Sequence, residues 1–166
     1  MRNALYVPSG LIVYLVITGL LHATAHAKAT KNDDELVFGP TPMVRSLLVV
    51  LILGFAAAAI YVSLTTPSSL LGTIIFGSIS IAGTLAFPPN ILVTASGVAS
   101  VKWWGKKTVV FWRSVSRIEY HKGPAATVVV GQHGARVVHS GWNRDTSGFL
   151  LACEEKTGLS PTISEL

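Results

Sequence analysis

From Ser46 to Val101 the chain carries no Asp, Glu, Lys or Arg, and apolar residues dominate the stretch. Soluble domains work charge into every surface, so a run of this length reads as membrane-embedded rather than as a folded core. A helix needs about 20 apolar residues to cross the hydrocarbon layer. The run divides into MVRSLLVVLILGFAAAAIYVSL (residues 43–64) and SLLGTIIFGSISIAGTLAF (residues 69–87). Between them TTPS supplies a turn, because Pro67 has no N–H to give a continuing helix, and Pro88 with Pro89 stops the second helix. So short a connection predicts an antiparallel helical hairpin. Another apolar stretch, GLIVYLVITGLLHATAHA (residues 10–27), reads either as a retained helix or as a secretory signal ending at the A-x-A-like Ala25-His26-Ala27.

Past Asn90 the pattern changes to short runs rich in Val, Ile, Thr, Trp and Tyr, broken every few residues by glycine-containing turns: ILVTASG, VASVKWW, TVVFW, SVSRIEYHKG, ATVVVG, ARVVHSG. This is the signature of an antiparallel sheet of about six strands built from hairpins, with Gly105 and Gly134 placed where turns need positive φ. The following NRDTSGFLLACEEKTGLSP predicts one helix: Asp145, Thr146 or Ser147 caps it, Phe149, Leu150 and Cys153 share a face, and Gly158 with Pro161 ends it. The segment between the first two apolar stretches, KATKNDDELVFGPTP (residues 28–42), mixes charge, Gly and Pro and reads as a loop, with an amphipathic turn at 35–38 lying on the membrane. The domains are accordingly residues 1–89, in the membrane, and residues 90–166.

Charge sets the orientation. Residues 28–45 carry three Lys/Arg, the 65–68 connection none, and the part after Asn90 nine. Since Lys/Arg excess marks the cytoplasmic side, three crossings with an outside N-terminus put both basic regions in the cytoplasm. A cleaved signal inverts this, so the charge favours a retained helix.

The composition, 50% hydrophobic and only 13% charged, agrees with a membrane protein and leaves little for catalysis. His22 and His26 share a helix face, but without a third ligand they make a weak metal or haem site and read as histidines at a helix end. His121, His133 and His139 fall at strand ends or turns and read as solvent-facing. Cys153, the only cysteine, reads as a buried thiol. No acidic or basic residue follows Arg45 within the two later apolar stretches, so the charged relay of a pump is missing. Small residues such as Gly54 with Ala58 and Ser78 with Ala82 suit close helix packing.

The order of elements, with Thr94 and Gly97 closing the first strand, a basic hairpin, and Trp112 followed by Val115 and Ile118, resembles the bacterial pleckstrin-homology-like (bPH) domain family. The similarity runs from Pro89 to about Leu159, and the helical hairpin extends it to Met43. It implies a small α+β PH-like domain, a sheet or partial barrel capped by one C-terminal helix, on an anchor of two or three transmembrane helices. In that frame Trp112, Val115 and Ile118 are core residues beneath the helix. The family implies a non-enzymatic binding or scaffolding module of the inner membrane, with no cofactor.

The remaining candidates for contact are Lys102, Trp103, Trp104, Lys106 and Lys107. Alternation along a strand puts one of the two tryptophans outward, and an exposed Trp among lysines suits anionic headgroups or a membrane-protein partner. The same lysines also serve simply to protect a sheet edge. Nucleic acid, the other partner a basic balance suggests, has no supporting motif, because the positive-inside bias explains the charge. The competing expectation is a structural subunit that assembles with other membrane proteins through its helices.

Overall fold

The structure is a computed structural model and describes residues 18–19, 22–24, 26–32, 35–66, 70–122 and 125–164. It divides into two units, Pro42–Pro88 and the combination of Met1–Thr41 with Pro89–Leu166.

The first unit is a pair of helices, α1 (Pro42–Thr65) and α2 (Leu70–Leu85). Ser80 Oγ donates to the Ile52 carbonyl at 3.0 Å, and Phe55 stacks on Phe76 with centroids 6.3 Å apart. Rising numbers on one helix meet falling numbers on the other, so the pair is antiparallel, as the short connection predicts. The residues that let the helices approach are Ser80 and Gly83, where a Cβ would meet Ile52 Cγ1 at 3.2 Å. Gly54 has nothing within 4 Å and is not one of them. Among the described helices only α1 is long and apolar enough to cross a membrane. With 16 residues, α2 is about 24 Å long against a hydrocarbon layer of about 30 Å. The 10–27 stretch is helical at residues 18–19, 22–24 and 26; whether it spans lies outside the described residues.

The second unit contains all the strands: β1 (Thr30–Asn32), β2 (Glu35–Phe38), β3 (Asn90–Val93), β4 (Gly97–Val101), β5 (Lys107–Phe111), β6 (Val115–His121), β7 (Ala126–Gly131), β8 (Arg136–His139) and β9 (Thr162–Ser164). A third helix, α3 (Thr146–Thr157), precedes β9. The sheets are ordered β1-β2-β3-β4-β5 and β8-β7-β6-β9. The six strands expected after Asn90 are present, and β9 adds a short parallel partner to β6.

The larger departure from the sequence reading is the 28–42 segment, which is not a loop on the membrane. It supplies β1 and β2, and β2 pairs with β3 through Leu36↔Val93, Val37↔Leu92 and Phe38↔Ile91. ELVF is too short for its alternation to stand out, and its partner lies beyond the apolar run. Pairing puts Phe38 on the inner face, fully buried with Ile91, Val93, Val98 and Val110. Ile118, Val129 and Val137 of the other sheet and Phe149 and Cys153 of α3 complete the core. Each such side chain contributes about 1.5–3 kcal/mol by leaving water. The boundary at residue 89 therefore holds on one side only, because the domain begins before the helical pair.

The ends of β2 and β3, where the chain departs for the helices and returns, are held by the loop after β8. Asn143, completely buried, donates its carboxamide N–H groups to the Phe38 carbonyl at 3.0 Å and the Pro89 carbonyl at 2.8 Å. Its Oδ1 accepts from Ser140 N–H and Oγ–H. Arg144 donates from its backbone and from Nε to the Gly39 carbonyl and from Nη1 to Thr30 Oγ1. Asp145, in the left-handed region at φ 57°, caps α3 by accepting from Gly148 N–H, and its other oxygen accepts from Ala29 N–H. At Gly39 a Cβ would run into the carboxamide of Asn90, which would have to turn aside to admit it. Replacing Asn143 by Ala strands two carbonyls in a buried site, which costs about 2–3 kcal/mol. Denaturant titration of full-length Asn143→Ala should show that loss, and Asn143→Asp, which cannot donate, should not rescue it.

Candidate functional site

The residues singled out from sequence sit together on one tight turn. Strand β4 ends at Val101 rather than running through the tryptophans, because the chain reverses over residues 102–106. Lys102 N–H donates to the Lys106 carbonyl at 2.9 Å, Gly105 N–H donates to the Lys102 carbonyl at 2.9 Å, and Gly105 takes φ 85°. Gly131, Gly134 (φ 76°) and Ala135 repeat the pattern between β7 and β8, the three-residue loop in which only the left-handed position demands glycine.

The expectation that one tryptophan points inward is therefore corrected. Alternation ends with the strand, and both rings are outside, Trp103 at 58% and Trp104 at 40% exposure. They lean edge to face with centroids 5.3 Å apart, and Lys102 Nζ lies 4.7 Å from the Trp104 centroid. Lys106 and Lys107 are exposed and Lys102 half-buried. The arrangement is an exposed aromatic pair, one ring of it under the Lys102 ammonium, on a turn that also bears Lys106 and Lys107.

Trp112 plays a different part. It is half-buried on the 3-10 turn Trp112–Ser114, against the core rather than inside it, and its indole N–H donates to the Thr94 carbonyl at 2.9 Å. Thr94 and Gly97 close their turn through mutual hydrogen bonds. Ile118 is a core residue, while Val115 packs at its border.

Two features were missed from sequence. The first is the outer face of the five-stranded sheet, where the pairings Val37↔Leu92↔Ala99↔Val109 align four apolar residues beside Gly97 and Phe111. Phe111 is 58% exposed. The lineup depends on register across strands distant in sequence, which no single run displays. The second is His139, read as solvent-facing but fully buried. Its ring stacks on Phe149 with centroids 4.5 Å apart at 12°, and meets Phe38 edge-on. Alternation in RVVH carries the signal, because Val137 faces the core and His139 shares its side. Nε2 lies 3.0 Å from the Arg144 carbonyl, which can only accept, so the neutral ring carries its proton there. His133 is exposed and His121 half-buried, and Cys153 is buried with its thiol pushed up to about 12 by desolvation. Among the described residues no three His, Cys, Asp or Glu side chains gather as a metal site.

Comparison of the chain with protein-family models, with curated proteins and with solved structures finds no match.

Burial lowers the His139 pKa from 6.5 to about 4. Above 6.5 the ring is neutral whether the chain is folded or not. Between 6.5 and about 4 only the unfolded chain takes up the proton, so stability falls as the pH drops through that window, by up to about 3 kcal/mol, and levels off below it. Denaturant titrations from pH 7 to pH 4 should show this slope, and His139→Phe should flatten it.

The tryptophans separate by substitution. Trp103→Ala and Trp104→Ala should each change stability by no more than about 0.5–1 kcal/mol, the worth of exposed contacts and one exposed cation–π pair. Trp112→Phe, which leaves the Thr94 carbonyl without its donor, should cost about 1–2 kcal/mol in the same titration.

Proposed function

We propose that the chain is a bacterial inner-membrane protein whose apolar helices anchor a cytoplasmic PH-like domain, and that this domain is a non-enzymatic binding or scaffolding module. Its contact element is the tip at residues 102–107, presented to anionic lipid or to a membrane-protein partner. The observation that carries the reading is the exposed pair Trp103 and Trp104 with three lysines on a rigid turn. Such a tip costs solubility without adding to the core, so its use lies outside the fold.

The pairing of β2 with β3 supports the anchor as a hairpin. A chain that leaves a sheet before α1 and rejoins the neighbouring strand after α2 has to return to the side it left. If α1 crosses, α2 with its apolar flanks brings the chain back. The positive-inside bias then assigns the cytoplasm to the domain, whose two parts carry the basic residues. The PH-like reading is supported by strands β2–β5 in one sheet, β6–β8 in the other, and α3 following β8 against the core.

Reporter fusions after Thr66 and at the C-terminus test the anchor, with an outside signal expected for the first and a cytoplasmic one for the second. The opposite pair would overturn the orientation. For the tip, charge reversal at Lys102, Lys106 and Lys107 is expected to abolish crosslinks, to lipid or to protein, from a photoreactive side chain placed at Trp103 of the full-length protein in native membranes. Crosslinks from that position that survive the reversal would remove the lysines from the contact.

A further inference from the structure

We infer that one end of the five-stranded sheet is a footprint for anionic lipid of the same membrane that holds the helices. In this footprint Trp103 and Trp104 seat at headgroup level, and Lys28, Lys102, Lys106 and Lys107 meet the headgroup charges. This rests on the membrane-anchored reading above and commits the tip to lipid rather than to a protein.

Register carries the argument. Asn90, where the chain returns from the helices, is level with Val101, and Val101 with Lys107. The turn at residues 102–106 therefore extends past the very end of the sheet at which the chain leaves and re-enters. Lys28 comes to this end from the other edge, because Thr30 pairs with Val37 and Ala29 is fixed by Asp145. Four strand spacings separate the two edges, so the lysines lie on either side of the ends of β2 and β3 over about 19 Å.

Tether length limits the distance to the bilayer. Residues 39–41 connect β2 to α1 and residues 86–89 connect α2 to β3, which allows about 10–14 Å even when fully extended. A polar zone of about 5–8 Å covers each face of the hydrocarbon layer. A turn that projects beyond Asn90 on such tethers has headgroups within reach.

Chemistry selects the lipid. Among the described residues, the ion pairs are Arg117 and His121 with Glu119, so none of these four lysines has a carboxylate partner. Asp145, the acidic residue at this end, is occupied with the N–H groups of Ala29 and Gly148. Indole rings favour the interface between water and acyl chains, and each lysine near an anionic surface contributes about 1 kcal/mol. A protein ligand would be better served by the apolar outer face around Val109 and Phe111. Phe111 lies four residues along β5 from Lys107, about 13 Å from the tip.

The test uses the full-length protein in nanodiscs of phosphatidylcholine with and without phosphatidylglycerol. Amine-reactive labelling is followed by mass spectrometry at each lysine. Labelling of Lys28, Lys106 and Lys107 is expected to slow about fivefold in the anionic discs, the rate equivalent of about 1 kcal/mol. High salt should restore it, while Lys156 on α3 serves as the unaffected reference. Brominated lipid should quench wild-type fluorescence more than that of Trp103→Phe/Trp104→Phe. Equal labelling in the two discs overturns the footprint, as does protection found only in native membranes, which would assign the tip to a protein. A nitroxide at Phe111→Cys reporting the same depth as one at Trp104→Cys would overturn the end-on geometry. Release of the protein from membranes by alkaline carbonate is a separate outcome, which removes the anchored reading itself.

Discussion

The carboxamide of Asn143 joins two carbonyls that are far apart in sequence, those of Phe38 and Pro89. Between them lies the entire helical pair. Because β2 and β3 are hydrogen-bonded neighbours, the domain is complete only when the chain on both sides of the apolar run has come together. The antiparallel arrangement of α1 and α2 limits the entropy of closing so long a connection, since a helical pair turns back on itself. The buried carboxamide, Arg144 on the Gly39 carbonyl and Asp145 on Ala29 then fix the junction. An exposed junction would leave these carbonyls to water and the strand ends free to fray.

Much of the later half was readable from sequence, because its signals are local. The strand runs after Asn90, the positive φ of Gly105 and Gly134, the capping of α3 by Asp145 and its termination at Gly158 all depend on residues within a few positions of one another. What escaped depends on distant partners. ELVF becomes a strand only because residues 91–93 are waiting for it, and Asn143 and Arg144 become a clasp only because β2 ends beneath them. The tryptophan pair lies between these cases. Its place on a basic hairpin was legible, but its exposure was misjudged, because the alternation rule stops where the turn begins at Lys102.

The same construction explains how a small domain can present a functional tip with little cost. The β4–β5 turn is held by its own backbone bonds and by Gly105, and it carries Trp103 and Trp104 on the outside, whereas Trp112 packs against the core and Phe149 lies within it. His139, by contrast, is a polar residue committed to the core, stacked on Phe149 and tied to the clasp through Arg144. The buried His139 and Asn143 thus serve the junction, and Lys102, Lys106 and Lys107 lie at the same end of the five-stranded sheet.

The fold depends on strands β2 and β3, which flank the apolar run in sequence, being neighbours in one sheet. Antiparallel neighbours have Cα atoms about 4.5–5.5 Å apart, within the range a disulfide can bridge. Val37 and Leu92 are such a pair, on the outer face of the sheet. Full-length Val37→Cys/Leu92→Cys in membranes, mildly oxidised and then counted for maleimide-reactive thiols, should lose both while Val37→Cys/Val109→Cys keeps them. If the thiols at 37 and 92 stay reactive after oxidation in the embedded protein, the two strands are not paired and the domain is not closed across the helical pair.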